Sequence, residues 1–259
     1  MEFITCDRDG HVLLIGLNRP KKYNAMNRAM YRELADAYGL LERDAELRCA
    51  LVFAHGDHFT AGLQLDEWAE VFGSGEPHPL TEGQVDPFGV SSERVSKPVI
   101  FAVKGICFTW GVELMLCGDI RVAASNTRFG QLEVKRGIHA CLGATLRLTQ
   151  EIGWSNAQRY LLTGDEWSAE DAYRMGMVQQ VTEPGQEYEA ALELARRVAK
   201  AAPLGVQGSL KSSLVVRRES EKAALAAMYK DLAPIMRSED VAEGVQSFLE
   251  RREAVFTGR

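Results

Sequence analysis

Short apolar runs recur along the first half of the chain, at residues 12–17 (VLLIGL), 50–54 (ALVFA) and 99–103 (VIFAV). They are rich in Val, Ile and Phe and are bounded by Gly, Asn, Pro or Asp, which predicts buried strands. Because these runs are apolar on both faces, they suit a sheet covered on both sides. A different period lies between the first two. Met30, Leu34, Ala37, Leu40 and Leu41 follow Asn27 at helical spacing. Asn27 accordingly reads as the cap of a helix ending near Arg43. Strand and helix patterns that alternate in this way predict an α/β core.

The stretch 63–95 breaks the alternation. It contains Gly73, Ser74 and Gly75, three prolines (Pro77, Pro79 and Pro87) and scattered aromatics (Trp68, Phe72 and Phe88). It predicts a short helix followed by a long loop, and loops of that length in a compact domain commonly wall or cover a pocket. From about Leu142 onward the pattern is mostly helical, at 144–152, 156–162 and 169–175. After the break at Pro184 and Gly185 come helical stretches at 188–202, 204–216, 221–232 and 239–254. This divides the chain into an α/β body, 1–200, and a helical region, 201–259, that packs on the body or on a neighbouring subunit. No repeat at a fixed period and no low-complexity stretch is present.

With 259 residues, the chain is long enough for one large domain, or for one domain plus a small appendage. Its hydrophobic fraction of 46% and charged fraction of 25% are ordinary for a globular protein. A net charge of −6 argues against a nucleic-acid partner, which needs a basic surface. The five cysteines (Cys6, Cys49, Cys107, Cys117 and Cys141) are odd in number and form no C-x-x-C pair. They are expected to be free thiols, in keeping with a reducing, cytoplasmic location. The first residues lack a basic stretch followed by an apolar run, so no signal peptide is expected. No apolar run approaches the length of a transmembrane helix.

Familiar cofactor motifs are missing. There is no G-x-G-x-x-G, no G-x-x-x-x-G-K-[ST], no H-E-x-x-H and no G-x-S-x-G. The five histidines show no i, i+4 spacing, so no metal site and no nucleotide cofactor are expected.

The candidate chemistry lies in two glutamates. Glu113 and Glu133 each sit at the edge of an apolar segment and near a glycine. A carboxylate in such surroundings is costly to bury unless something offsets the cost. Two carboxyls in unlike environments can hold one group ionised and the other protonated, which suits general acid/base chemistry. Three segments frame them: residues 56–65 (GDHFTAGLQL), 103–114 (VKGICFTWGVEL) and 129–137 (FGQLEVKRG). The first two read as strand, turn and helix. The small residues of 56–65 let a ligand approach the backbone, and amides at a helix start favour negative charge.

In this order and spacing the three segments resemble the enoyl-CoA hydratase/isomerase (crotonase) superfamily. Further resemblances cover nearly the whole chain: LNRPKKYNAM at 17–26, CGDIRVA at 117–123, LLTG at 161–164, and Ala169, Tyr173, Gly176, Met177 and Val178. The resemblance implies a core of repeated ββα turns in a spiral, with a C-terminal helical trimerisation region. It also implies a homotrimer or dimer of trimers and an acyl-CoA substrate, with coenzyme A as part of that substrate and no separate cofactor.

The family also uses an oxyanion hole of two backbone N–H groups, which position by position fall on Ala61 and Trp110. Glu113 and Glu133 match the family's hydratase glutamates. Glu113 would take a proton from water as it attacks C3, and Glu133 would deliver a proton to C2. Gly62, Leu63 and Gln64 are expected to line the thioester and pantetheine. Lys21, Lys22 or Tyr23 would meet the adenine or phosphates, and Arg251, Arg252 and Arg259 would reach a neighbour's coenzyme A.

Three departures stand out. Trp110 occupies a place where the family often has Gly, and its ring is expected to narrow or floor the acyl pocket. Gln64 replaces a frequent Asp. Cys141, next to His139 in the stretch 138–143, stands where a Gly often helps to place the water. These departures keep other crotonase-type reactions open: double-bond isomerisation, thioester hydrolysis or carbon–carbon lysis. A non-catalytic acyl-CoA-binding trimer is the remaining alternative, since fold alone does not fix function.

Overall fold

The structure, a computed structural model, describes residues 1–214, 232–233 and 236–255. The three apolar runs are its central strands: β2 (Val12–Leu17), β3 (Cys49–Ala54) and β4 (Val99–Val103). They pair in parallel and extend to β6 (Ile120–Ala124) and β9 (Gln180–Thr182). At the other edge β1 (Ile4–Asp9) pairs antiparallel with β2, giving the order β1-β2-β3-β4-β6-β9. Three short strands, β5 (Ile106–Phe108), β7 (Arg128–Gly130) and β8 (Glu166–Ser168), form a second sheet in the order β5-β7-β8.

Alternate side chains of the large sheet enter two separate apolar layers. Val12, Cys49, Leu51, Ile100, Ala102 and Val122 meet Ala191, Leu192, Ala195 and Ala199 of α7 (Glu187–Lys200). Leu13, Ile15, Ala50, Val52, Phe101 and Val103 face the main core, with α1 (Arg28–Arg43) and α3 (Trp110–Cys117). Burial on both sides explains why these strands read as continuous apolar runs. As the sequence predicts, α1 starts at Asn27, whose side chain accepts the Met30 amide at 2.9 Å. The helix and long loop expected at 63–95 are α2 (Leu65–Gly73) and the residues after it, with Trp68, Phe72 and Phe88 buried in the main core.

The later helices are α4 (Ala144–Ile152), α5 (Trp154–Thr163) and α6 (Ala169–Arg174), close to the expected bounds. Residues 203–214 are helical, and α8 (Glu239–Glu250) follows with a Ser238 cap. The helix expected over 221–232 lies outside the described residues except for Leu232. No described helix is long and apolar enough to cross a membrane.

Helix α8 packs on the body of its own chain, against the 3-10 turn Glu133–Arg136. The fit depends on Gly244. A Cβ there would stand 2.5 Å from the Arg136 carbonyl oxygen, a backbone atom that cannot swing away. Arg136 in turn lies over the Phe248 ring, 4.6 Å from its centroid. Gly244→Val is therefore expected to lift α8 from the turn and to lower stability by about 1–3 kcal/mol, the usual cost of overpacking. A denaturation midpoint equal to that of the parent protein would show that this contact contributes nothing.

Candidate active site

Two loops and two turns converge around α3. The first loop, 56–62, is tied to the turn after β2. Asn24 is fully buried, and its side-chain amide donates to the carbonyls of His55 (3.0 Å) and His58 (2.8 Å). Thr60 Oγ1 donates to the Asn24 carbonyl at 2.8 Å. Thr109 precedes α3 at φ 52°, ψ −116°, a left-handed setting that a β-branched residue rarely adopts. Its carbonyl accepts the amides of Val112 and Glu113, which starts the helix there. The loops touch: a Cβ on Gly62 (φ +117°) would lie 2.7 Å from Thr109 Oγ1.

All eight residues of α3 are buried, Glu113 among them. Its Oε1 accepts two backbone amides from the start of α4, Leu142 at 2.7 Å and Ala144 at 3.1 Å. Burial pushes the Glu113 carboxyl up to about 7, while those two amides and the nearby Arg147 charge pull the other way. Glu133 differs. The residue is half-buried, but its carboxyl is enclosed, and Oε2 has no hydrogen-bond partner among the described residues. Burial, and then the charge of Glu113, hold Glu133 well above the usual carboxylate range. Of two adjoining carboxyls, the one held by two amides from another segment is the better carboxylate and the one with an unpartnered oxygen is the better acid. The Cys141 thiol is buried in the field of both. Burial first, and then Glu113 and Glu133, push it well up, so it remains a neutral thiol.

The amide expected of Ala61 requires a correction. The Ala61 N–H donates to the Tyr23 carbonyl at 2.9 Å, so it is already engaged. Two residues on, Leu63 forms a parallel bridge with Met26. In that bridge Met26 N–H donates to Gly62 O (2.9 Å) and Gln64 N–H donates to Met26 O (3.0 Å). The N–H of Leu63 itself faces the other side and meets no acceptor among the described residues. Trp110, first in α3, likewise has no intrahelical acceptor for its N–H. Leu63 and Trp110 thus each carry an open amide, on the two loops that touch at Gly62 and Thr109.

The Trp110 ring is also placed differently from expectation. It is fully buried in the main core, edge-on to Phe88 (6.1 Å, 74°), and its Nε1 donates to the Gly62 carbonyl at 2.7 Å.

At the rim, Lys21 and Tyr23 are exposed on and beside the 3-10 turn Pro20–Lys22, with the Tyr23 ring 5.2 Å from that of His58. Gln64 is half-buried before α2, and its Nε2 reaches Asp66 at 3.4 Å. Arg252, just past α8, is ion-paired with Glu243 and Glu250 of that helix, and Arg259 lies outside the described residues. Among the described residues no group of three His, Cys, Asp or Glu side chains could hold a metal ion. Sequence reasoning placed Leu63 against the thioester but not as an amide donor, and it missed Leu142, Ala144 and Arg147. Three of these act through the main chain, which leaves no side-chain signature. The available signals were the positive-φ glycines Gly62 and Gly143, beside which these amides lie.

Known proteins resemble this chain over nearly its whole length. The sequence profile described as enoyl-CoA hydratase/isomerase matches residues 7–259. The mevalonyl-coenzyme A hydratase of Beauveria bassiana is 34% identical over 251 residues, 94% of this chain and 85% of that protein. A probable enoyl-CoA hydratase/isomerase from Mycobacterium abscessus superimposes with a TM-score of 0.81 at 41% identity, covering 100% of this chain and 99% of that one. The carnitinyl-CoA hydratase of Mycobacterium avium gives a TM-score of 0.89 at 31% identity, with 100% of both chains covered.

Proposed function

The chain belongs to the enoyl-CoA hydratase/isomerase family, and we propose that it is a hydratase adding water across the 2,3 double bond of a 2-enoyl-CoA. The observation that carries this reading is the unlike pair of carboxyls. Glu113 is held by two amides and Glu133 has a carboxyl oxygen with none. Ionised Glu113 takes a proton from water as the water oxygen bonds to C3. The electrons of the double bond move through C2 onto the thioester oxygen, which becomes an enolate. The Leu63 and Trp110 amides receive that charge, a contribution typically worth roughly 2.7–4 kcal/mol per donor. The enolate then collapses, and C2 takes the proton of Glu133. Gly62 and Leu63 lie against the thioester, and Gln64, Lys21 and Tyr23 lie farther out along the coenzyme A.

The test is turnover of 2-enoyl-CoAs of graded chain length, followed by loss of the conjugated enoyl absorbance. Rapid isomerisation of a 3-enoyl-CoA with no hydration would replace this reading by a double-bond isomerase, which needs the same hole but not both carboxylates.

The pH profile is a second measurement. Glu113 must be ionised, so kcat/KM should rise with pH through about 7. Glu133 must be protonated, so the rate should fall again at higher pH. The two limbs belong to the pair rather than to either residue alone. A profile flat from acid to alkaline pH would remove the acid/base pair from the mechanism.

A further inference from the structure

We infer that the Trp110 side chain is a positioning residue for the oxyanion hole, holding and polarising the Gly62–Leu63 peptide. The inference rests on the hole proposed above and adds to it a part played by one side chain. Trp110 contributes its main-chain N–H directly. Its indole Nε1–H reaches the opposite loop and donates to the Gly62 carbonyl at 2.7 Å. That carbonyl belongs to the same peptide unit as the Leu63 N–H. No cis peptide bond is present among the described residues, so the carbonyl and the amide of this unit point in opposite directions. The indole therefore sits behind the Leu63 donor.

Two effects follow. The Gly62 oxygen accepts two hydrogen bonds, from Trp110 Nε1 and from Met26 N–H at 2.9 Å. Bonds of this kind polarise one another, by about 10–30% each, so the Leu63 N–H becomes a stronger donor. The indole also fixes the direction of the peptide plane. Gly62, at φ +117°, has no side chain to restrain it, and apart from the indole the Gly62–Leu63 peptide makes one hydrogen bond among the described residues, from Met26 N–H to Gly62 O. Because the ring is fully buried and edge-on to Phe88, it cannot relax to follow a shifting loop. One residue thus joins both donors: its amide is one, and its ring sets the other. This assigns a role to a bulky side chain at a position where a glycine would leave the Gly62 carbonyl without its second donor.

The experiment uses the full chain with Trp110→Phe, and with Trp110 replaced by β-(3-benzothienyl)alanine, which keeps the bicyclic shape but has sulfur in place of the N–H. The probe is a slowly turned-over enoyl-CoA whose thioester carbonyl carries a carbon-13 label, read by difference infrared spectroscopy in the bound state. In the parent protein the band should move to lower frequency on binding. In both variants part of that shift should be lost and kcat should fall roughly tenfold, well short of the 10²–10³ that removal of a whole donor costs. KM should change little. An unchanged band and unchanged kcat in the benzothienyl variant would overturn the inference. So would a loss confined to thermal stability or KM. If the parent protein itself shows no shift, the hole reading fails instead, a result distinct from a variant that behaves like the parent.

Discussion

Replacing either glutamate by glutamine should lower the rate of 2-enoyl-CoA hydration by about 10²–10⁴-fold, the usual worth of a positioned acid or base. The two substitutions act differently. In Glu113→Gln the side-chain oxygen can still accept the Leu142 and Ala144 amides, so the start of α4 stays in place. What is lost is the base, and with it the acidic limb of the pH profile. In Glu133→Gln a carboxyl with an unpartnered buried oxygen becomes a neutral amide of the same shape. The acid is lost while the fold keeps its volume. The double variant should be little slower than the slower single one, because residues that act as a unit are not additive.

Stability should move in the opposite sense. The carboxyl of Glu113 is raised in the folded protein relative to an unfolded value near 4.3, so the folded state holds its proton over a range where the unfolded chain has lost it. Stability from this group is full below that unfolded value and is lost as pH rises through about 7. The Glu113→Gln protein should therefore be no less stable than the parent at pH 8, and its stability should vary less across this interval. Near-parental hydration in either single variant would sink the two-carboxyl mechanism.

Arg121→Met should destabilise the protein by about 3–5 kcal/mol, the cost of leaving a buried charge network without one partner. Arg121 is 2% exposed. Its Nε donates to Met115 O at 2.7 Å, and its Nη atoms donate to Gly118 O (3.1 Å), Met177 O (3.0 Å) and both oxygens of Glu151 (3.2 Å each). Met115 and Gly118 are carbonyls at the end of α3, where a helix leaves acceptors unfilled and carries partial negative charge. The guanidinium therefore closes the far end of the helix that begins with Trp110 and contains Glu113. Methionine fits the volume but leaves those carbonyls and Glu151 without this donor. Arg121→Lys should recover only part of the loss, since a single ammonium cannot reach carbonyls on several sides. The measurement is the urea midpoint of unfolding. A midpoint equal to the parent's in Arg121→Met would mean that the carbonyls find other partners and that α3 does not depend on this cap.

Little of this second network was legible in the sequence. Arg121 stands in a strand motif, and its partners lie 3–6 residues away on α3 and 30 and 56 residues away at Glu151 and Met177. No periodicity links them. The short strands β5, β7, β8 and β9 are three residues each, too brief for an alternation to show. Strand β1 carries Asp7, Arg8 and Asp9, which an edge strand tolerates and a central one would not.

The sequence by itself determined what depends on local pattern. The buried strands β2, β3 and β4, the Asn27 cap and the two carboxyls at apolar edges all follow from side chains and spacing within a few residues. Tertiary structure alone decided which peptide N–H is left open and which carboxyl gains amide donors. Ala61 and Leu63 are equivalent on paper. A bond to Tyr23 engages the first, and a bridge through Met26 turns the second outward. Glu113 and Glu133 are the same residue type, and they differ because two amides from a helix 29 and 31 residues away reach only one of them. An N–H has no side chain to announce it, and a carboxyl's acidity is set by its neighbours. Both become readable only when distant segments meet.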